Sequence, residues 1–180
     1  MSKWFHCLAK WRSDRALTDP SDKYVLMMLE EVNDELVPAI LEFDTHEIVD
    51  AWADQIILTE NQACLEGILL DHDKQLPGTS DDVLSILNNE YKFESEDNSI
   101  ALQAIYSICN YNLTKLGYNT ELVLKLVCKH ISSRRQDPSQ AERWKLNPEL
   151  CKSEKWSKDR NQNPSTIYQP DYSTCKLKQK

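Results

Sequence analysis

The residues best placed to do chemistry are carboxylates that recur at helical spacing between positions 30 and 54. Glu30, Glu31, Asp34 and Glu35 fall in one apolar helical pattern, and Glu47, Asp50 and Asp54 fall in the next. Residues three and four apart share a helix face, so Glu31 pairs with Asp34 or Glu35, Glu30 with Asp34, and Asp50 with Glu47 or Asp54. Like charges at that spacing repel. Their neighbours Leu29, Val32, Leu36, Val49, Ala53 and Ile57 mark the edge of a buried stripe, so desolvation adds to the cost. A divalent cation would relieve both costs. Mg²⁺ takes oxygen ligands, usually a few carboxylates completed by water and substrate phosphates. The spacing therefore suggests phosphate chemistry. The plainer alternative is a pair of solvated acidic helix faces, since the chain holds 29 Asp and Glu.

The elements that must position these groups are helices. Three glycines in 180 residues supply few tight turns, which argues against an all-β fold. Apolar periodicity and caps predict helices over 1–16, 23–41, 46–70, 83–91, 100–116 and 121–133. Pro38 should kink or end the second of these. Asp44-Thr45, Asp81-Asp82 and Asn119-Thr120 are the expected N-caps, and Gly117 the expected C-terminal stop. The expected organisation is an all-α bundle over 1–134 and an irregular tail over 135–180. That tail is punctuated by Pro138, Pro148, Pro164 and Pro170 and carries Trp144, Trp156, Tyr168 and Tyr172. So many aromatics are unusual for a disordered segment, and the tail should drape over the helical body or over a partner subunit.

Composition narrows the class further. The net charge is −8, divided into −12 over residues 1–150 and +4 over 151–180. An acidic body disfavours a nucleic-acid backbone. The basic tail suits a polyphosphate, although a solvated tail explains it as well. No apolar run reaches the roughly 18 residues of a membrane span, and the N-terminus lacks an apolar signal region, so a cytoplasmic protein is expected. Six scattered cysteines form no C-x-x-C pair, and Cys64, Cys109 and Cys128 read as small buried hydrophobes.

The order of these motifs resembles a family. Met27-Met28-Leu29-Glu30-Glu31-Val32-Asn33-Asp34-Glu35-Leu36, followed by Val49-Asp50-Ala51-Trp52-Ala53-Asp54, is similar to the MazG-like all-α nucleoside triphosphate pyrophosphohydrolases. Leu116-Gly117 and the closing Tyr168-Gln169-Pro170-Asp171-Tyr172 extend the likeness to phage and integron members. The chain departs from the family pattern at Asp34, which stands in place of Glu, and at Ala51, which leaves Asp50 to act with Asp54. The resemblance implies Mg²⁺, with Mn²⁺ as substitute, held by Glu31, Asp34, Glu35, Asp50 and Asp54. It implies Glu30 and Glu31 as the catalytic carboxylates, and Lys129, Arg134, Lys155 and Lys158 as phosphate contacts. Lys129 and Arg134 also suit the end of a helix for its dipole alone. The implied substrate is a nucleotide cleaved to monophosphate and pyrophosphate, and the implied assembly is a homodimer or homotetramer. The rival reading is a non-enzymatic acidic helical binding protein, of immunity or phage accessory type, with a degenerate metal site. A di-iron carboxylate bundle is disfavoured because no Glu-x-x-His pair is present.

Overall fold

Two residues, Phe43 and Asp44, fold the acidic part of the chain into a helical hairpin. The computed structural model describes residues 23–91, 98–133 and 168–178. Helix α1 (Lys23–Glu30), a π-helical turn (Glu31–Leu36) and α2 (Val37–Glu42) run on as one rod. After the corner come α3 (Thr45–Leu65), α4 (Ser80–Ser85) with a second π turn (Ile86–Glu90), α5 (Ser99–Lys115), α6 (Thr120–Ser133) and a 3₁₀ turn (Tyr172–Cys175). The protein is all-α, with no strand among the described residues. None of the described helices is long and apolar enough to cross a membrane. The expected helix over 1–16 lies outside the described residues.

Pro38 does not end the rod. A proline has no N–H to give to the preceding turn. Here the bonding ahead of it loosens to the π pattern, with Val37 N–H donating to Val32 O. The rod stops instead at Glu42, where Phe43 takes the left-handed conformation at φ 57°. Asp44 N–H returns to Ala39 O at 3.0 Å and Phe43 N–H to Ile40 O at 3.2 Å, so the last carbonyls are satisfied. The Asp44 carboxylate then accepts from His46 and Glu47 N–H and starts α3, as its cap position predicts.

α3 is the central helix, in contact with α1, the first π turn, α2, α5 and α6. Between Val49 and Ala63 only Asp50 and Asp54 escape full burial. The small residues Ala51, Ala53 and Ala63 let neighbours approach closely, and Trp52 is core. The helix ends at Leu65, not at Leu70, because Gly67 turns the chain at φ 70°. The apolar run Ile68-Leu69-Leu70 beyond it is loop.

That loop is held along α5 by side-chain amides. Gln103 brackets Asp71 through its N–H at 2.7 Å and its carbonyl at 3.0 Å. Asn110 donates to the carbonyls of His72 at 3.2 Å and Lys74 at 3.0 Å. α4 starts from a capping box between Thr79 and Asp82, two residues before the expected Asp81-Asp82 cap. Gly117, at φ 86°, ends α5 as predicted, and the Asn119 side chain accepts from Leu122 N–H at the start of α6. Cys109 and Cys128 are buried and Cys64 is half-buried. Burial raises the Cys109 thiol well above its ordinary pKa.

Within the tail, residues 168–178 lie against the helical body. Leu177 N–H donates to Gly117 O at 2.7 Å, and Asn119 N–H donates to Cys175 O at 2.8 Å. An antiparallel bridge joins Tyr118 and Lys176 between them. Tyr172 and Cys175 are buried.

Candidate functional site

Asp50 and Asp54 sit one turn apart on α3 and are the two half-buried residues between Val49 and Ala63. The acidic π turn packs directly against this helix. The Thr59 hydroxyl, 3.5 Å from Met28 Sδ, sets the antiparallel register of the hairpin. Counted residue for residue from that contact, Glu31 comes level with Ile56 and Glu35 with Trp52. Both acidic motifs therefore lie at the same height along the hairpin.

Their side chains differ in setting. Glu31, Asp50 and Asp54 are half-buried, whereas Glu30, Asp34, Glu35 and Glu47 are exposed. Asp50 accepts a short hydrogen bond from the Tyr172 hydroxyl, 122 residues away in the chain. The Tyr172 phenol is pushed far above its ordinary pKa, first by burial, then by the charge of Asp50 and the bond to it, and by Asp54. His46 flanks the same tyrosine with ring centroids 5.0 Å apart, and its Nε2 lies 3.2 Å from Pro170 O. Burial lowers the His46 pKa, but the bonds to Pro170 and Glu47 outweigh it and the net shift is upward.

The donor set is oxygen only, which suits Mg²⁺. The arrangement does not fit: among the described residues, no three His, Cys, Asp or Glu side chains come together to hold a metal ion. Two physical causes are visible. The first acidic motif lies in a π turn, so the angular positions of Asp34 and Glu35 relative to Glu31 are not those of an α-helix. In addition, Tyr172 engages Asp50. Of the expected phosphate contacts, Lys129 places its Nζ 3.7 Å from the centre of the Tyr168 ring, a cation–π contact. Arg134, Lys155 and Lys158 lie outside the described residues.

Two further polar clusters were not evident from local spacing. At the end of α3, Glu66 accepts from the Tyr91 hydroxyl, from Gln62 at 2.6 Å and from Asn98 at 3.1 Å. Burial first, and Glu66 second, raise the Tyr91 phenol. On the opposite side of the loop, His72 Nε2 meets the buried Glu60 carboxylate at 2.5 Å, and the His72 ring lies 5.2 Å from Tyr106. The bond to Glu60 raises the His72 pKa against the opposing effect of burial. The available signal was the polar run Thr59-Glu60-Asn61-Gln62 inside an otherwise largely apolar helix; the partners of Glu60 and Gln62 come from distant segments. No known protein family, curated protein or solved structure matches this chain.

Proposed function

We propose that this chain is a MazG-like nucleoside triphosphate pyrophosphohydrolase, acting in the cytoplasm as a homodimer or homotetramer. In this reaction water attacks the α-phosphorus, the bond to the bridging oxygen breaks, pyrophosphate leaves, and a nucleoside monophosphate remains. This reaction class would use Mg²⁺ or Mn²⁺ to neutralise the polyphosphate charge, although the carboxylates of the described residues do not by themselves converge on a cation. Glu30 and Glu31 are the carboxylates assigned to accept the proton of the attacking water. Lys129, Arg134, Lys155 and Lys158 are the cations assigned to the polyphosphate oxygens. The observation that carries this reading is the selective opening of α3. The helix is buried all round from Val49 to Ala63 except at two aspartates, and a π turn bearing the other acidic motif packs beside it. π turns inside α-helices occur frequently at functional sites.

A second reading has its own support. Glu30, Asp34, Glu35, Glu42, Asp44 and Glu47 are all exposed on the hairpin, which suits docking of a basic partner without chemistry. The discriminating experiment is incubation of the full chain with ribo- and deoxyribonucleoside triphosphates and Mg²⁺, with separate assays for pyrophosphate and orthophosphate. Pyrophosphate release, lost by orders of magnitude in Glu31→Gln and Asp54→Asn while helical content is retained, supports the enzyme. Absence of turnover with every nucleotide refutes it in favour of the docking reading.

A further inference from the structure

The hairpin corner carries a cost that the fold does not recover. Residues 40–47 are exposed without a break. Within that run Phe43 is 87 % exposed, Leu41 73 % and Ile40 38 %. Phe43 also takes φ 57°, in the left-handed region, where a bulky side chain is an outlier and glycine is the usual residue. The corner itself does not need the ring. Its bonds run from Phe43 N–H to Ile40 O, from Asp44 N–H to Ala39 O, and from His46 and Glu47 N–H to the Asp44 carboxylate. They present the ring on a turn that is already bonded, which lowers the entropic cost of docking it. Aromatic side chains are enriched at protein interfaces.

The charge around the ring selects its occupant. Glu42, Asp44 and Glu47 are exposed on the same corner. No Lys or Arg occurs between positions 24 and 73. A second copy docked face to face through this corner would set three carboxylates against three, with no cation of that stretch to offset them. An anionic lipid surface would meet the same repulsion. A helix with an apolar face flanked by Lys and Arg suits both features, covering Leu41 and Phe43 while its cations lie against the carboxylates.

We propose that residues 40–47 are a docking site for a basic amphipathic helix of a partner protein, with Phe43 and Leu41 as anchors and Glu42, Asp44 and Glu47 as the charged rim. The proposal deepens the docking alternative and makes no use of the nucleotide reaction, so it stands or falls separately from the nucleotide assay.

The test uses the full chain and a synthetic amphipathic helix with leucine on one face and lysine on the other, its binding read by calorimetry. The wild type should bind this peptide, and Phe43→Gly and Leu41→Ser should each weaken binding about tenfold or more. Both variants leave the net charge unchanged, so diffuse attraction of a cationic peptide to the acidic body is the same in all three proteins. Thermal unfolding separates loss of the anchor from loss of the fold, because Phe43→Gly should be more stable than the wild type while binding less. The same peptide with glutamate in place of lysine should not bind. With serine in place of leucine it should bind weakly, and equally to the wild type and both variants. Unchanged affinity in Phe43→Gly and Leu41→Ser overturns the proposal, because only diffuse charge attraction would then be left. Binding of the glutamate peptide as tightly as the lysine peptide removes the charged rim and overturns it as well. So does failure of the leucine–lysine peptide to bind the wild type. Concentration-dependent dimerisation of the wild type in sedimentation, lost in Phe43→Gly, would assign the corner to a second copy and also overturn the proposal.

Discussion

Replacing Gln55 by leucine should stabilise the protein. Gln55 is 0 % exposed at the centre of α3. Neither its amide nitrogen nor its amide oxygen meets a hydrogen-bond partner among the described residues. The Thr59 hydroxyl one turn later bonds the main-chain carbonyl of Gln55 at 2.7 Å, so it does nothing for the side chain. A buried polar group left unsatisfied costs about 1–3 kcal/mol, and this side chain carries two such groups. Leucine is of comparable size and brings no polar atom. Imperfect fit of its branched end returns about 1 kcal/mol. The net expectation is a gain of about 1–5 kcal/mol. For a protein of this length each kcal/mol moves Tm by about 2–4 °C, so Tm should rise by several degrees.

The measurement is thermal and urea unfolding of the wild type, Gln55→Leu and Gln55→Ala. An unchanged urea m-value would show that the same surface is exposed on unfolding. Gln55→Ala removes the same polar atoms but leaves a void, and should fall well below Gln55→Leu. Loss of more than about 1 kcal/mol in Gln55→Leu refutes the reasoning. It would mean that the amide is bonded in the folded protein and that the middle of α3 is not dry.

Three other outcomes follow from local geometry. The folded-state pKa of His72 is raised, with the Glu60 bond as the largest cause and Asp71 adding to it. Its contribution is therefore fully present below the ordinary histidine pKa and is lost as pH rises through the raised value. The His72 side chain is 36 % exposed, so solvent screening holds this to about 1 kcal/mol; the wild type should lose that much relative to His72→Asn between acid and neutral pH, and a loss of the opposite sign refutes the pairing. Phe43 occupies a left-handed conformation at φ 57° and is 87 % exposed, so Phe43→Gly should gain about 0.5–1 kcal/mol in urea unfolding, and a loss would show that the ring is packed. A Cβ on Gly78 would meet Ile108 Cγ1 at 2.9 Å, so Gly78→Ala should loosen the loop on α5, seen as faster amide exchange at Leu76.

What the sequence made legible was local. Asp44, Gly117 and Asn119 act at helix ends as their chemistry predicts, because capping depends on atoms two or three residues away. Thr79-x-x-Asp82 obeys the same rule and was passed over in favour of the adjacent acid pair. Pro38 misled because a lost N–H can be absorbed by a π turn as well as by a break, and nothing in the residues before it distinguishes the two. The same turn limits the candidate site. Counting in threes and fours presumes an α-helix, so the acidic motif could be located without its side chains being correctly aimed.

The remaining misjudgement concerns α3 and follows from burial. An apolar stripe predicts one face toward the core, yet this helix is surrounded, and several of its buried polar residues take partners from the loop after it, from α1 and from the end of the second π turn. Glu60 meets His72, Thr59 touches Met28, and Gln62 reaches Tyr91. Such a helix can leave a carboxylate partly open only where its neighbours stop. They stop at Asp50 and Asp54, and over Asp50 the gap is filled by a tyrosine from near the other end of the chain. Access to Asp50 is therefore decided by a contact that no local pattern encodes.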